Sequence, residues 1–220
     1  MEYYHLHTKG NQDRIWRENH EFVVDQKWNN RVYHRCANFT TAVPTKDYPD
    51  LTNVVNLLLS IGGYSPVEKQ VNIKDLLDVC INNGVDKKTL YKLLKDTLVA
   101  VHNANIFKRE MALEAYRSDN TPNLPSRMHS LYVTTKDGVE YWKNLLIDGD
   151  LEIFKLDIAE EPFIANEQLL PTEELSYQDT YKEAAKYWHP KLKNKNPLYN
   201  EYLVQGRVRV LKKVSEINRK

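Results

Sequence analysis

A carboxylate near the end of the chain and two imidazoles near its start are the residues best suited to form a site. Glu201 stands at the entrance of a strong strand pattern, and His5 and His7 stand two residues apart in another. Carboxylates and imidazoles supply charge and hydrogen bonds to a ligand. A structural interpretation competes with this one, because a glutamate at a strand end or a histidine on an edge strand is often simply exposed. The choice between the two interpretations depends on the elements that carry these residues.

The strand pattern that contains Glu201 covers residues 199–211. Apolar residues recur at four of its even positions and polar residues take three of its odd positions, which is the two-residue alternation of a half-buried strand. The even positions are Tyr202, Val204, Val208 and Val210, and the odd ones are Gln205, Arg207 and Arg209. Gly206 lies within the pattern, where a β-bulge or a close backbone approach is expected.

The two imidazoles belong to a predicted first strand over residues 2–10. If Tyr3 to Thr8 is extended, Tyr3, His5 and His7 share one face, while Tyr4, Leu6 and Thr8 share the other. A second strand is predicted around residues 21–25. The pair of histidines on one face favours a site more than a lone histidine would.

The middle of the chain changes to helical periodicity between Leu51 and Tyr116. Predicted helices cover residues 51–61, which end at a Gly-Gly pair, then 73–81 and 86–116. No Pro/Ser-rich linker marks either boundary of this block. We therefore predict one domain over residues 1–220 with a helical insertion at about 51–116.

A strand over residues 129–135 follows a loop that contains Arg127. Tyr132 shares a face of this strand with Ser130 and Thr134, two small hydroxyl residues. Thr134 or Thr135 is expected to cap a helix over residues 137–146. The later predicted elements are a strand at 151–158, a short extended piece within 163–170, and a helix at 177–188 that begins after Ser176.

Composition excludes several classes of protein. Hydrophobic residues make up 41% and charged residues 28% of the chain, and the formal net charge is +1, so no overall field favours nucleic acid. Only Cys36 and Cys80 are present, without zinc-type spacing, so we expect no disulfide framework and no metal. The start of the chain has no signal-peptide pattern and no apolar run reaches membrane-spanning length, so we expect a cytoplasmic protein with no membrane partner.

Three stretches resemble the successive motifs of the ADP-ribosyltransferase superfamily, in its His-Tyr-Glu type. They are Tyr-His-Leu-His-Thr at residues 4–8, Ser-Leu-Tyr-Val-Thr-Thr at 130–135, and Asn-Glu-Tyr-Leu-Val-Gln-Gly-Arg-Val at 200–208. The chain also looks like an uncharacterised bacterial family of unknown function within that superfamily. The resemblance implies an α+β fold with a split antiparallel sheet. It covers the strands on both sides of the helical block, and it implies that the strands of His5 and Tyr132 meet in one cleft.

The resemblance also implies a role for each residue, with NAD as the substrate. His5, or His7 beside it, would bind the nicotinamide-side ribose, with Thr8 in the position that follows the family histidine. Tyr132, accompanied by Thr134, would stack on nicotinamide, and Arg127 would bind a phosphate. Glu201 would be the catalytic carboxylate that stabilises the oxocarbenium-like ribose.

Two features depart from the family pattern. Leu6 and His7 intervene before Thr8, which leaves the choice between the two imidazoles open. Members of the family that modify arginine carry a second carboxylate two residues before the catalytic one, and here that position is Tyr199. Arginine is therefore disfavoured as the acceptor.

The resulting hypothesis is an enzyme that splits NAD and passes ADP-ribose to a macromolecule, protein or nucleic acid. Such an activity would suit a toxin or a phage-defence effector, with an antitoxin or another protein as partner. The alternative is a binding module for NAD or nucleic acid that has the same fold without turnover. A basic C-terminal region, which includes Lys191, Lys193 and Lys195 with Tyr187 and Trp188 nearby, supports the nucleic-acid version.

Overall fold

The computed structural model describes residues 2–9, 14–37, 78, 81–82, 84–146 and 150–217. The chain divides into two compact units, one formed by Met1–Asn38 with Asn105–Lys220 and the other by Phe39–Ala104. All the described strands and all the candidate residues belong to the first unit. The predicted helices at 51–61 and, for the most part, at 73–81 lie outside the described residues.

The first unit combines antiparallel strands with helices, which makes it an α+β structure. The strands are β1 (Tyr3–Thr8), β2 (Glu21–Val24), β3 (Leu131–Thr135), β4 (Leu151–Ile158), β5 (Phe163–Asn166), β6 (Asn200–Val204) and β7 (Gly206–Ile217). The helices are α1 (Arg31–Ala37), α2 (Lys87–Asn120), α3 (Val139–Leu145) and α4 (Tyr177–Tyr187). Helix α2 begins in the second unit and ends in the first.

The seven strands form one sheet in the order β2-β7-β4-β1-β3-β6-β5, and each described pair is antiparallel. Strand β1 pairs with β4 along its whole length, but it pairs with β3 only at Tyr3↔Thr135 and Tyr4↔Thr134. The sheet therefore divides between β1 and β3. Strands β2, β7, β4 and β1 make one part, and β3, β6 and β5 make the other.

Apolar side chains cover both faces of the sheet. The core on the first face draws on both parts and contains Trp16, Val24, Leu131, Val133, Phe154, Leu156, Tyr202, Val204, Val208 and Val210. The core on the second face joins β5 and β6 to α2 and α4, and it contains Leu113, Ala165, Ala184, Tyr187, Trp188 and Leu203. The indole nitrogen of Trp188 donates a hydrogen bond to the carbonyl of Leu113 at 3.0 Å. Each large side chain buried here contributes about 1.5–3 kcal/mol to stability.

The predicted strand over residues 199–211 is two strands. Gly206 has φ +100°, and a Cβ atom built there would lie 1.1 Å from Oε2 of Glu160. Only glycine combines this backbone conformation with such a close approach. The chain therefore leaves β6, which pairs with β3 and β5, and enters β7, which pairs with β2 and β4. The even apolar positions still pack into one core, as the alternation predicts.

The other predicted strands and helices that fall on described residues are present, with bounds that differ by a few residues, but one predicted cap is not. Strand β4 has the predicted bounds, β1 covers Tyr3–Thr8 of the predicted 2–10, and Ser176 caps α4 by accepting a hydrogen bond from the amide of Asp179. The cap predicted at Thr134 or Thr135 is wrong. A 3-10 turn, Lys136–Gly138, precedes α3, and Thr135 makes no side-chain capping hydrogen bond.

Candidate functional site

Glu201 lies on β6 and its carboxylate is buried. Its relative exposure is 6%, and the hydrogen bonds described for the side chain both go to Oε2. Nη1 of Arg127 donates one of them as part of an ion pair, and the hydroxyl of Tyr187 on α4 donates the other. Glu201 is therefore held in one orientation by groups from two other segments.

Arg127 is the centre of this cluster, because it binds two buried carboxylates. Its Nε donates to Oε2 of Glu110 on α2 at 2.8 Å, and its Nη1 reaches Glu201. Arg109 also contacts Glu110, at 3.0 Å, and pairs with Glu173 at 3.2 Å. Burial alone would raise the pKa of Glu110, but the guanidinium groups of Arg127 and Arg109 lower it below its usual value.

The aromatic ring of Tyr132 lies beside the same guanidinium. Cζ of Arg127 is 5.7 Å from the ring centre of Tyr132 and 4.9 Å from that of Tyr187, distances within the range of cation–π attraction. The hydroxyl of Tyr132 donates to the carbonyl of Arg127 at 3.1 Å. Burial raises the pKa of both tyrosines well above the usual value, so both stay neutral.

A second group of polar side chains surrounds Glu167, just beyond the end of β5. The hydroxyl of Tyr141 on α3 donates to Oε2 of Glu167 at 3.2 Å, and the rings of Tyr141 and Tyr199 meet edge to face at 5.3 Å. Burial raises the pKa of Tyr141 to about 12, and the charges of Glu167 and Glu201 add to that effect. Glu167 is therefore within electrostatic reach of the cluster.

The two histidines lie on the other face of the sheet. The pairing of Tyr3 with Thr135 sets His5 beside Val133, so His5 shares the face of Val133 and not that of Tyr132. Its ring stacks on Trp16, with centres 4.4 Å apart, and the ring of His7 lies 5.1 Å from the same indole. The structure thus brings Arg127, Tyr132 and Glu201 together, but it does not bring the side chains of His5 and His7 to them.

His5 contacts the cluster only through the backbone of Tyr132. Its Nδ1 lies 2.8 Å from the carbonyl oxygen of Tyr132, so Nδ1 carries the proton and donates it. This bond crosses the division of the sheet, where β1 and β3 stop pairing. Burial lowers the pKa of His5 to about 4, and the ring is neutral near pH 7.

The two candidate threonines occupy different environments. Thr8 is exposed at the end of β1. Thr134 is buried, shares the face of Tyr132 and Glu201, and its hydroxyl has no hydrogen-bond partner among the described residues. A Cβ atom at Gly138 would lie 2.0 Å from that hydroxyl oxygen, so the turn after β3 closes directly over Thr134.

Arg127, for which the resemblance implies a phosphate contact, has its buried guanidinium satisfied by Glu110 and Glu201 in this structure. The sequence analysis missed the site residues Glu110, Glu167 and Tyr141, and it named Tyr187 only as an aromatic residue near the basic region. One signal was available for Glu110, since it interrupts the buried stripe of α2 formed by Ile106 and Leu113. A charged residue in such a stripe usually has a buried partner.

Two further observations concern the part of the chain that the structure describes. No helix within it is long and apolar enough to cross a membrane. No group of three or more histidine, cysteine, aspartate or glutamate side chains within it could hold a metal ion. The site that it contains is built from carboxylates, guanidinium groups and tyrosines.

The fold and the site define an α+β protein with a divided antiparallel sheet and a buried cluster of charged and aromatic residues around Glu201. Residues 3–216 match the family described as "Protein of unknown function (DUF2441)", and the chain belongs to that family. No curated protein matches the sequence.

Proposed function

We propose that this protein binds NAD, cleaves the bond between nicotinamide and ribose, and passes ADP-ribose to a macromolecular acceptor, protein or nucleic acid. The observation that carries the proposal is the buried carboxylate of Glu201, held by Arg127 and Tyr187 on the face of the sheet that also carries Tyr132. Departure of nicotinamide leaves positive charge on the ribose, and a preorganised carboxylate stabilises that charge. The division of the sheet between β1 and β3 also agrees with the split sheet of the ADP-ribosyltransferase superfamily.

The proposal assigns a role to each residue of the site. Glu201 is the catalytic carboxylate, and Tyr132 and Thr134 share its face of the sheet. Arg127 and Tyr187 fix the orientation of Glu201. His5 acts indirectly, because its ring holds the backbone of Tyr132 from the opposite face. Modification of a cytoplasmic macromolecule would make the protein a toxin or a phage-defence effector.

The experiment that tests the proposal measures nicotinamide release from NAD by the wild type, Glu201→Gln and Glu114→Gln. Glutamine keeps the shape of Glu201 and removes the charge that matters when the ribose becomes cationic. We expect Glu201→Gln to lower the rate by about a hundredfold or more with little change in NAD affinity. Glu114 lies on the same helix as Glu110 and pairs with Arg117, so Glu114→Gln controls for loss of a glutamate. Equal rates for the wild type and Glu201→Gln would refute the catalytic assignment.

A binding module without turnover is the second candidate, favoured by the ion pair itself. Arg127 and Tyr187 occupy Oε2 of Glu201, as they would if the carboxylate had only a structural role. Both candidates predict that NAD raises the melting temperature by mass action and that Tyr132→Ala reduces the shift. Only the enzyme releases nicotinamide, so the two measurements together separate the candidates.

A further inference from the structure

Glu167 is a second carboxylate that the fold brings to the neighbourhood of Glu201. It follows β5 directly, and the pairing of β5 with β6 sets Ala165 opposite Glu201 and Asn166 opposite Asn200. Glu167 and Tyr199 lie in the 3-10 turns that adjoin these strand ends, and Tyr141 contacts both of them. Glu167 thus arrives from a neighbouring strand, beside the chain that leads into Glu201.

The surroundings of Glu167 differ from those of a surface glutamate. Partial burial raises its pKa, and the negative charge of Glu201 raises it further. Two groups act in the opposite direction, since the hydrogen bond from Tyr141 and the charge of Arg127 both lower the pKa. These three residues are the titratable groups that act on Glu167. A carboxylate with a raised pKa next to a second carboxylate is a common arrangement for an acid–base pair.

We infer that Glu167 is the general base that accepts the proton of the acceptor nucleophile, while Glu201 stabilises the ribose from which nicotinamide departs. The inference rests on the proposed function and adds the residue that removes the proton from the acceptor. It implies an acceptor that attacks through a neutral O–H or N–H group and has to lose a proton, in contrast to an acceptor that is already an anion.

The reaction step balances without another reagent. The bond from the anomeric carbon to the nicotinamide nitrogen breaks, and its electron pair leaves with nicotinamide as a neutral product. A lone pair of the acceptor oxygen or nitrogen forms the new bond to the same carbon. The acceptor proton passes to the carboxylate of Glu167, which later releases it to solvent. The hydroxyl of Tyr141 keeps the carboxylate oriented through its hydrogen bond at 3.2 Å.

The test uses water as the acceptor and azide as its replacement, with nicotinamide release from NAD as the readout. Glu167→Ala should slow release by about a hundredfold with unchanged KM for NAD, because general base catalysis typically contributes about 100- to 10,000-fold. Azide is already an anion and needs no base, so it should restore release by Glu167→Ala and yield ADP-ribosyl azide. Azide should not restore Glu201→Gln, whose defect lies on the ribose. Glu174→Ala, which alters an exposed glutamate further along the chain, is the matched control.

A pH profile adds a readout that a structural role would not change. Activity should fall on the acid side as Glu167 takes up its proton, at a higher pH than for an ordinary glutamate. Tyr141→Phe removes a hydrogen bond that lowers the pKa of Glu167, so it should move the acid limb further upward. A structural role for Tyr141 would lower activity at every pH without moving the limb.

The outcomes distinguish failure of the inference from failure of the proposed function. Release by the wild type, loss in Glu167→Ala and rescue by azide support the inference. Full release by Glu167→Ala, or a loss that azide does not restore, overturns the inference alone. No nicotinamide release by the wild type overturns the proposed function, and the inference with it.

Discussion

At the scale of single residues, the fold removes the carboxylates of Glu110 and Glu201 from water and sets both against one guanidinium. Taking ions out of water costs several kcal/mol each, and the attraction between them compensates only with good geometry and additional hydrogen bonds. Arg127 supplies that geometry through Nε and Nη1, and Tyr187 adds a hydroxyl. The orientation of Glu201 therefore depends on Arg127 as much as on the strand that carries it.

Loss of Arg127 should be far more costly than loss of a surface arginine. Arg127→Met leaves Glu110 and Glu201 buried without their cation, and we expect the free energy of unfolding to fall by about 3–5 kcal/mol. Arg209→Met is the control, because Arg209 is exposed and its ion pairs are worth about 0–1 kcal/mol. Urea unfolding of both variants at neutral pH measures the difference. Equal losses would contradict the central role of Arg127.

At the scale of elements, the sequence predicts what is local and misses what depends on pairing between distant segments. The bounds of β4, the presence of β1 and the cap at Ser176 follow from alternation and from one side chain. The separation of His5 from Tyr132 does not, because it depends on which residue of β3 lies beside which residue of β1. In the same way, Arg127 finds Glu110 on a helix that no motif connects to it.

The break between β6 and β7 shows how one residue can decide topology. The alternation over residues 199–211 continues through Gly206, so the pattern alone predicts one strand. The positive φ of Gly206 and the carboxylate of Glu160 beside it direct the chain into the other part of the sheet. This feature was visible in the sequence only as a glycine inside a strand pattern, which permits a bulge as readily as a break.

A methyl group at Gly206 should destabilise the first unit for two separable reasons. Gly206→Ala adds backbone strain of about 1–2 kcal/mol at φ +100° and a clash with Glu160. Glu160→Ala removes the clash, so the same substitution in that background should cost only the strain. Thermal unfolding of the wild type, both single variants and the double variant gives the coupling. Additive effects would mean that Glu160 moves aside freely.

At the scale of the whole molecule, the sheet separates two kinds of chemistry. Its first face carries an aromatic environment, in which neutral His5 stacks on Trp16, and its second face carries the charged cluster around Glu201. The hydrogen bond from His5 to the backbone of Tyr132 is a direct connection between them. Protonation on the first face can therefore affect the stability of the unit that holds the second.

The pH dependence of stability should reveal the partly buried imidazole of His5. Burial lowers its pKa from 6.5 to about 4, so the unfolded chain binds a proton between these values that the folded protein does not. Stability therefore falls as pH drops through that window, by about 2 kcal/mol between pH 8 and pH 5 for this residue alone.

Other groups titrate over the same range, and His5→Gln isolates the contribution of His5. The glutamine amide can still donate to the carbonyl of Tyr132, but it does not titrate. Urea unfolding at pH 8 and pH 5 should show a smaller loss of stability for His5→Gln than for the wild type, by about 2 kcal/mol. Above pH 7 the imidazole is neutral in both the folded and the unfolded state. The free energies of unfolding of the two proteins should therefore change with pH most similarly there. Parallel losses across the whole range would mean that His5 is accessible to water and titrates normally in the folded protein.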